Sequence, residues 1–192
     1  MSDTINMVLI YGSVRDGRYC DTVAKWAHAQ VAAHKGFSIE IVDPAELTLP
    51  AKMSRNESGD LDKLKGLIDV ADAFLIVTPE YNHGYPAALK HLIDSIYSEW
   101  QAKPVAFVSY GAASGGLRAV EQLRQVFAEL HIASMRSTVS FANVWEQFDE
   151  HGRLHAPDRP EKAMSMMLAQ LQWWANALKN ARAQIPYDAV AN

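Results

Sequence analysis

The chain has 192 residues, of which about half are apolar, a formal charge of −4 and one cysteine, Cys20. This length suits a single domain over residues 1–192, and the mixed charge does not provide the basic surface that nucleic acids or membrane lipids attract. One cysteine excludes an internal disulfide framework and, without a Cys/His cluster, offers no zinc site, so we expect a reducing, cytoplasmic compartment. No stretch approaches the roughly 18 consecutive apolar residues of a membrane span.

Short apolar runs alternate with helical patterns along the chain. The predicted strands are Met7–Tyr11, Phe37–Val42, Ala73–Val77, Val105–Ser109 and Ser137–Phe141. Their continuous apolar character predicts a parallel sheet that is covered by helices on both faces, as in doubly wound α/β folds. A last helix is predicted to begin near Asp158, after a long surface connection over residues 143–157.

Three predicted strand exits carry unusual loops. In a doubly wound sheet of order 2-1-3-4-5, the ligand crevice lies at the exits of strands one and three, and strand four borders it. The first loop, Gly12–Tyr19, leads into a helix whose first amides form an anion site, and Arg15, Arg18 and the Ser13 hydroxyl add phosphate donors. Because the loop lacks the Lys and Ser/Thr of a Walker A motif, it predicts a monophosphate site. An ordinary turn with two solvated arginines is the alternative.

The other two loops suit a flat ligand. Thr78–Pro86 contains two prolines, which fix the backbone, together with a carboxylate, an amide and two tyrosines. In Ser109–Gly116, five of eight residues are Gly or Ala, which leaves space for a ring edge. The amides of Gly115 and Gly116, near a helix start, would stabilise negative charge. Surface packing and a tight glycine turn are the alternatives.

These loops resemble those of the NADPH-dependent FMN reductases, a family with a flavodoxin-like fold that binds FMN non-covalently. Between about Met7 and Phe141 the matching segments, in family order, are Gly12-Ser13-Val14-Arg15, Thr78-Pro79-Glu80-Tyr81-Asn82 with Pro86, and Gly115-Gly116-Leu117-Arg118-Ala119. The resemblance implies a three-layer α/β/α, flavodoxin-like fold with a five-stranded parallel sheet of order 2-1-3-4-5.

The resemblance also implies which residues hold the cofactor. The FMN phosphate would lie against the first loop, and the isoalloxazine between the other two. The implied cofactor-binding residues are Ser13, Arg15, Gly17, Arg18, Tyr19, Cys20, Pro79, Glu80, Tyr81, Asn82, Ser109, Gly115 and Gly116. Arg18 and Cys20 stand where many family members have Ser and Asn. A helix N-terminus can lower the pKa of a thiol such as that of Cys20, but a flavin redox cycle does not require a thiol, so we expect the Cys20 thiol to be a bystander.

The implied activity is hydride transfer from NAD(P)H to bound FMN and then to a flavin, quinone, azo compound or metal ion, by a ping-pong mechanism. The flavin carries this chemistry, so neither a catalytic side chain nor a resident metal is predicted. Two alternatives stay open, an FMN-binding electron carrier without efficient NAD(P)H oxidation and a phosphate-binding domain without flavin. The mixed charge favours the reductase, because a carrier normally presents a docking surface of one sign.

A homodimer or homotetramer is implied as well, with a neighbouring chain often completing the pocket. We expect part of that interface at the end of the third helix, where Tyr97 and Trp100 are predicted to be exposed. Capping of the core is the alternative for these two residues. The candidates to line an open mouth of the site are Tyr81, Tyr85, Tyr110 and Trp145.

Overall fold

The computed structural model describes residues 4–50 and 59–191, and within them five parallel strands form one sheet. The strands are β1 (Ile5–Tyr11), β2 (Phe37–Val42), β3 (Ala73–Pro79), β4 (Pro104–Tyr110) and β5 (Ala133–Phe141). Their order is β2-β1-β3-β4-β5, which confirms the predicted order. Every residue of β3 and β4 is buried, as expected for strands covered on both faces.

Helices cover both faces of the sheet. They are α1 (Cys20–Ala33), α2 (Gly59–Val70), α3 (Ala87–Asp94), α4 (Leu117–Glu129), α5 (Asp158–Gln184) and α6 (Asp188–Ala191). Buried side chains of α1 and α5 share one core layer with the sheet, and those of α2, α3 and α4 share the other. The result is the predicted three-layer, flavodoxin-like arrangement, in which all strand exits lie at one edge of the sheet.

Strand β5 begins at Ala133, four residues before its predicted start. Its register against β4 shifts between Val105 and Phe107, so extra residues of β5 are accommodated in an irregularity. The Arg124 side chain of α4 donates to the carbonyls of Met135, at 2.6 Å, and Arg136, at 3.1 Å. The sequence pattern missed this half of the strand because a tertiary contact satisfies its irregular backbone.

Of two expectations about exposed segments, one is incomplete and the other is wrong for Trp100. Residues 143–157 are not only a surface connection, since Phe148 is buried and its ring lies 5.2 Å from that of Phe141. Trp100 is fully buried, and its indole N–H donates to the Ile93 carbonyl at 3.1 Å. Tyr97 is exposed as predicted. Trp100 therefore caps the core, the alternative that the sequence had left open.

No helix in the described residues combines the length and the apolar character that a bilayer crossing requires. In the same part of the chain, no group of three His, Cys, Asp or Glu side chains is placed to hold a metal ion.

A buried carboxylate fastens α5 to the edge of the sheet at which the strands begin, opposite to the edge that carries the three loops. Asp72, which precedes β3, is 5% exposed. Its oxygens accept from Lys179 Nζ at 2.8 Å, from Arg182 Nη2 at 3.2 Å and from the Asn6 N–H at 3.1 Å. Because both cations belong to α5, this cluster joins the last long helix to the sheet.

We expect Asp72→Asn to lower the free energy of unfolding by about 2–3 kcal/mol, because it leaves two partly buried cations without their anion. Urea denaturation measures the change. The matched control is Asp94→Asn in the exposed Lys90–Asp94 pair of α3, where a loss of less than about 1 kcal/mol is expected. Equal losses in the two variants would contradict the role of Asp72.

Candidate functional site

The exits of β1 and β3 touch each other at Gly12. Its N–H donates to the Val77 carbonyl at 2.8 Å. A Cβ at Gly12 would lie 2.8 Å from the Val77 oxygen and 2.9 Å from Thr78 Cα, closer than real side chains approach. Glycine is therefore required here by the close passage of the two chains, and this contact brings the first and second loops together.

Three predicted site residues meet across this junction. The buried Ser13 Oγ lies 2.7 Å from the Tyr81 hydroxyl and accepts a long hydrogen bond from the Arg15 N–H, at 3.4 Å. The Arg15 guanidinium lies 3.6 Å from the centre of the Tyr81 ring, within the range of a cation–π contact. Arg15 forms no ion pair with a carboxylate in residues 4–50 and 59–191.

The first loop presents unused backbone donors. Among the described residues, the N–H groups of Val14, Asp16, Gly17 and Tyr19 have no protein acceptor. Val14, Asp16 and Gly17 are exposed, and Tyr19 lies at the N-terminus of α1, where the helix dipole favours an anion. Gly17 has φ +63°, which places it in the left-handed region. This donor set suits a phosphate group.

Arg18 is engaged by acidic side chains. Its guanidinium pairs with both carboxylate oxygens of Asp43 and donates to Asp21 Oδ1 at 2.7 Å. Burial by itself would raise the pKa of Asp43, but the hydrogen bonds from Arg18 and from the Ala45 N–H outweigh this effect and lower that pKa. Arg18 thus fastens the first loop to the exit of β2. Its predicted phosphate contact stays a prediction.

Asp43 was missed as a site residue, although the sequence holds a clue to it. It directly follows β2, so in a parallel sheet it ends at the same edge as the first loop. A carboxylate at that edge is a natural partner for one of the two arginines.

The Cys20 thiol faces the core. Its side chain is fully buried, and Sγ lies 3.6 Å from the Val77 carbonyl oxygen. Burial raises the pKa of this thiol, so the lowering that a helix N-terminus can cause does not prevail. Backbone groups of Gly12 and Ser13, at the start of the first loop, also lie near the thiol and favour the thiolate, but burial outweighs them. A ligand in the first loop would reach Cys20 through its backbone, and that contact stays a prediction.

The second loop is a tight turn that two prolines flank. Tyr81 and Gly84 exchange backbone hydrogen bonds at 2.9 and 3.0 Å, and the residues between them, Asn82 and His83, have φ of 51° and 69°. Two central residues with positive φ define a type I′ turn, in which asparagine is favoured. The turn exposes Asn82 and His83 at the rim of the crevice.

Glu80 fastens the second loop to the third. Its side chain is 6% exposed, accepts from Ser114 Oγ at 2.8 Å and from Arg118 Nε at 2.6 Å, and accepts the Arg118 backbone N–H at 3.2 Å. Burial would raise the pKa of Glu80, but these hydrogen bonds prevail and lower it. Ser114 and Arg118 were not predicted as site residues, although both stand in the quoted loop and motif.

In the third loop, Gly115 and Gly116 are buried. Gly116 has φ +83°, and a Cβ there would lie 2.8 Å from the Tyr110 carbonyl oxygen. The N–H of Gly115 donates to the Ala112 carbonyl at 3.0 Å, and that of Gly116 lies 3.3 Å from Ser114 Oγ. These amides are used within the loop, and their predicted contact with a cofactor stays a prediction.

The rim of the third loop supplies other donors. In the described part of the chain, the N–H groups of Ala112, Ala113 and Ser114 have no protein acceptor. Ala112 and Ala113 are exposed. Ser109 is fully buried and donates from Oγ to the Gly115 carbonyl at 2.8 Å, so it supports the loop from below.

Of the four aromatic residues predicted to line the mouth, Tyr110 is buried, at 4% exposure, and does not line it. Trp145 is 56% exposed. Its short 3₁₀ turn is attached to the third loop, because the Val144 N–H donates to the Gly111 carbonyl at 3.1 Å. Tyr81 and Tyr85 are partly exposed.

Taken together, a parallel sheet of order 2-1-3-4-5 with helices on both faces and three contacting loops at its carboxyl edge defines a flavodoxin-like α/β protein. The sequence profile of the NADPH-dependent FMN reductases matches residues 5–146. The chain belongs to this family and is an oxidoreductase of the kind that uses FMN and NAD(P)H. The predictions of the family, the enzyme class and the cofactor are confirmed.

Relatives in several organisms agree with this assignment. An NAD(P)H-dependent FMN reductase of Schizosaccharomyces pombe is 38% identical over 144 residues, which cover 68% of this chain and 70% of the relative. One from Pseudomonas aeruginosa is 30% identical over 188 residues, covering 93% of this chain and 100% of the relative.

Solved structures agree on the fold. The flavoenzyme NAD(P)H:(acceptor) oxidoreductase FerB of Paracoccus denitrificans superposes with a TM-score of 0.71 at 20% identity, over 91% of this chain and 98% of that one. A flavodoxin, WrbA-like protein of Agrobacterium tumefaciens superposes with a TM-score of 0.56 at 18% identity, over 92% and 99% of the two chains.

We expect Glu80→Gln to lower the free energy of unfolding at neutral pH by about 1–2 kcal/mol, because Glu80 accepts charge-assisted hydrogen bonds. The pKa of Glu80 is lower in the folded state than in the unfolded chain, so the ionised carboxylate stabilises the fold. This stabilisation is complete above about pH 4.3, the ordinary pKa of a glutamate, and is lost as the pH falls through the lower folded-state pKa. The difference between variant and wild type should therefore shrink at acidic pH. Denaturant titrations between neutral and acidic pH measure it.

The control for this experiment is Glu121→Gln, since Glu121 is 74% exposed and pairs with Arg124 at 3.2 Å. A surface pair of this kind should contribute less than about 1 kcal/mol. A Glu80→Gln deficit that stays constant with pH would contradict the assigned hydrogen-bonding role of the carboxylate.

Proposed function

We propose that the chain is a one-domain NAD(P)H oxidoreductase that binds FMN across the exits of β1, β3 and β4 and reduces a small-molecule acceptor. The observation that carries this proposal is the set of unused N–H groups at Val14, Asp16, Gly17 and Tyr19, with Arg15 beside it. A ligand with a terminal monophosphate and a flat ring would satisfy this loop and the crevice next to it together.

The residues present suit FMN. Arg18 is bound by Asp43 and Asp21, so Arg15 is the arginine of the first loop whose guanidinium is available to a phosphate. Stacking on the Tyr81 ring holds the Arg15 fork at the mouth of the anion loop. On the ring side, the rigid Tyr81–Gly84 turn and the exposed N–H groups of the third loop would border the isoalloxazine.

When bound, FMN would supply the redox chemistry, accepting hydride from NAD(P)H and returning the electrons to the acceptor. The protein's part is to hold the ring rigidly and to leave one face open. Backbone donors of Ala112, Ala113 and Ser114 would stabilise negative charge on the ring edge. Asn82, His83 and Trp145 are exposed around the opening, which leaves room for the two substrates in turn and predicts ping-pong kinetics.

The acceptor belongs to the same proposal. A relative in Pseudomonas putida is named quinone reductase, at 30% identity over 83% of this chain, and one in Bacillus is named NADPH azoreductase, at 29% identity over 77%. We infer a planar organic acceptor such as a quinone, a free flavin or an azo compound, with metal ions as a further class. A homodimer or homotetramer and a cytoplasmic location are parts of the proposal.

The reductase can be separated from an electron carrier by anaerobic stopped-flow mixing of the FMN-loaded protein with NADPH and with NADH. We expect the absorbance of oxidised flavin to fall after mixing with NADPH or NADH. The absorbance should return when a quinone is then added. Absence of bleaching, together with no turnover with a quinone, would favour the carrier. A protein that fails to bind added FMN would instead support a phosphate-binding domain without flavin. Sequential kinetics would contradict the ping-pong mechanism alone.

Arg15→Ala should weaken FMN binding about 10- to 100-fold, because it removes a charge-assisted contact to the phosphate worth roughly 1.5–3 kcal/mol. Turnover at saturating FMN should change little, since the contact assigned to Arg15 is with the phosphate and not with the redox-active ring. Quenching of flavin fluorescence measures the affinity. The control is Arg136→Ala, an exposed arginine on β5. Unchanged affinity in Arg15→Ala would refute the phosphate role.

A further inference from the structure

Helix α4 holds both the backbone and the ring of His83. His83 lies in the turn of the second loop and has φ of 69°. Its ring Nε2 lies 2.9 Å from Arg118 Nη1, and its carbonyl accepts from Gln122 Nε2 at 2.8 Å. Because Arg118 and Gln122 are four residues apart, they lie on the same face of α4. One face of a helix thus fixes the orientation of the imidazole.

Arg118 also determines which nitrogen of the His83 ring carries the proton. A guanidinium has only donors, so Nε2 of His83 is the acceptor in this contact and carries no hydrogen. A neutral imidazole has one N–H group, which is therefore at Nδ1. A second proton, on Nε2, would set two cations against each other at 2.9 Å. The contact thus selects the neutral form of His83 with its hydrogen on Nδ1.

Arg118 is anchored in turn from the interior. Its Nε donates to Glu80 Oε1 at 2.6 Å, and the Glu80 side chain is 6% exposed. The Arg118 side chain is 48% exposed, and His83 is exposed as well. A buried anion, a guanidinium and an imidazole therefore form a row that runs from the interior to the surface.

The Nδ1–H group of His83 has no protein acceptor within residues 4–50 and 59–191. The turn follows β3, at the edge of the sheet where doubly wound proteins bind ligands. Its first residue, Tyr81, also contacts the first loop through Ser13, with 2.7 Å between the two hydroxyl oxygens. His83 therefore adds an unused hydrogen-bond donor beside the loops that are proposed to hold FMN.

The electron acceptors that suit the proposed function can use such a donor. Quinones, flavins and azo compounds all present oxygen or nitrogen atoms with lone pairs. A quinone that takes up a hydride becomes a hydroquinone monoanion, whose oxygen keeps the negative charge until water supplies a proton. A fixed neutral donor stabilises this charge. The nicotinamide ring instead becomes positive when it gives up its hydride, so a donor near it would bring no such gain.

We propose that His83 binds the electron acceptor and determines its specificity, by donating a hydrogen bond from Nδ1 to an oxygen or nitrogen atom of a quinone, flavin or azo compound. Arg118 is the positioning residue, because it holds the ring in the form that carries this donor. The inference rests on the proposed function, since the acceptor must lie next to reduced FMN. His83 supplies a hydrogen bond and no proton, so its ring is unchanged after the reaction.

The first test measures binding without turnover. A quinone that is titrated into the oxidised, FMN-loaded protein without NAD(P)H is not reduced, and calorimetry gives its dissociation constant. His83→Gly tolerates the positive φ and removes the ring, so this constant should rise about 3- to 10-fold through the loss of one hydrogen bond. His83→Asn tolerates the same φ and supplies an amide donor, so it should restore part of the affinity. Unchanged affinity in His83→Gly would overturn the proposal.

The matched control for this titration is His131→Gly. His131 is exposed, has φ of 57° and makes a ring hydrogen bond of its own, with 3.1 Å between Nδ1 and the Tyr187 hydroxyl. It lies just before β5, at the edge of the sheet where the strands begin. Its quinone affinity should equal that of the wild type. An equal loss in both glycine variants would count against a specific role of His83.

Stopped-flow mixing separates a failure of this inference from a failure of the proposed function. NADPH should reduce FMN in His83→Gly as fast as in the wild type, whereas reoxidation by a quinone should slow about 3- to 10-fold. Reoxidation by ferricyanide, which takes single electrons and needs no oriented hydrogen bond, should keep its rate. Normal reoxidation by the quinone would overturn the role of His83 and leave the proposed function intact. A wild type that NADPH does not reduce would overturn both.

A spectroscopic test addresses Arg118. Nitrogen NMR of the protein without FMN shows which ring nitrogen carries the proton, and the signals of His83 are those that His83→Asn lacks. We expect the hydrogen of the wild-type ring on Nδ1. Arg118→Lys keeps a cation beside Glu80 but loses the planar fork that reaches both partners, so Nδ1 should no longer be favoured. A wild-type ring with its hydrogen on Nε2 would overturn the positioning role of Arg118.

Discussion

The candidate site depends on the close passage of the ends of β1 and β3, which Gly12 permits. A side chain at that position would collide with the backbone at Val77 and Thr78. With glycine, the loop after β1 lies directly against the loop after β3, and Ser13 reaches the Tyr81 hydroxyl. The first loop and the rigid turn of the second loop form one continuous surface as a result.

Charged side chains in the crevice serve two different purposes. Arg18 and Glu80 are consumed by partners inside the protein, Asp43 for the first and Arg118 for the second, and both join neighbouring strand exits. Arg15 has no acidic partner in the described residues and rests on the Tyr81 ring. Of two arginines in the same loop, one therefore holds the loop in place and the other is available to a ligand. Rigid fastening of this kind is what positions a cofactor ring without a catalytic side chain.

The molecule also separates its surfaces. The site loops lie at the carboxyl edge of the sheet, where exposed polar side chains and backbone amides lie beside the exposed Trp145. The outer face of α5, a helix that covers one face of the sheet, exposes Met166, Trp173 and Trp174 beside polar side chains. The same long helix is anchored at its far end by the Asp72 cluster.

Much of the fold could be predicted from the sequence, because continuous apolar runs, helical spacing and loop composition are local properties of the chain. They determined the parallel sheet, its helical cover, the three chemically distinctive loops and, through motif resemblance, the family. The sequence also places glycines at positions 12 and 116, but it does not show the close backbone contacts that require them there.

What only the tertiary structure decided are the partners of each side chain. The sequence alone does not distinguish the roles of Arg15 and Arg18. In the structure, Asp43 at the end of β2 pairs with Arg18 and not with Arg15. The position of Cys20 near a helix N-terminus suggested a lowered thiol pKa, whereas packing buries the thiol and raises its pKa. Trp100 looked exposed and fills the core, while Trp173 is exposed on a helix. These outcomes depend on contacts between residues distant in the chain, which local pattern does not encode.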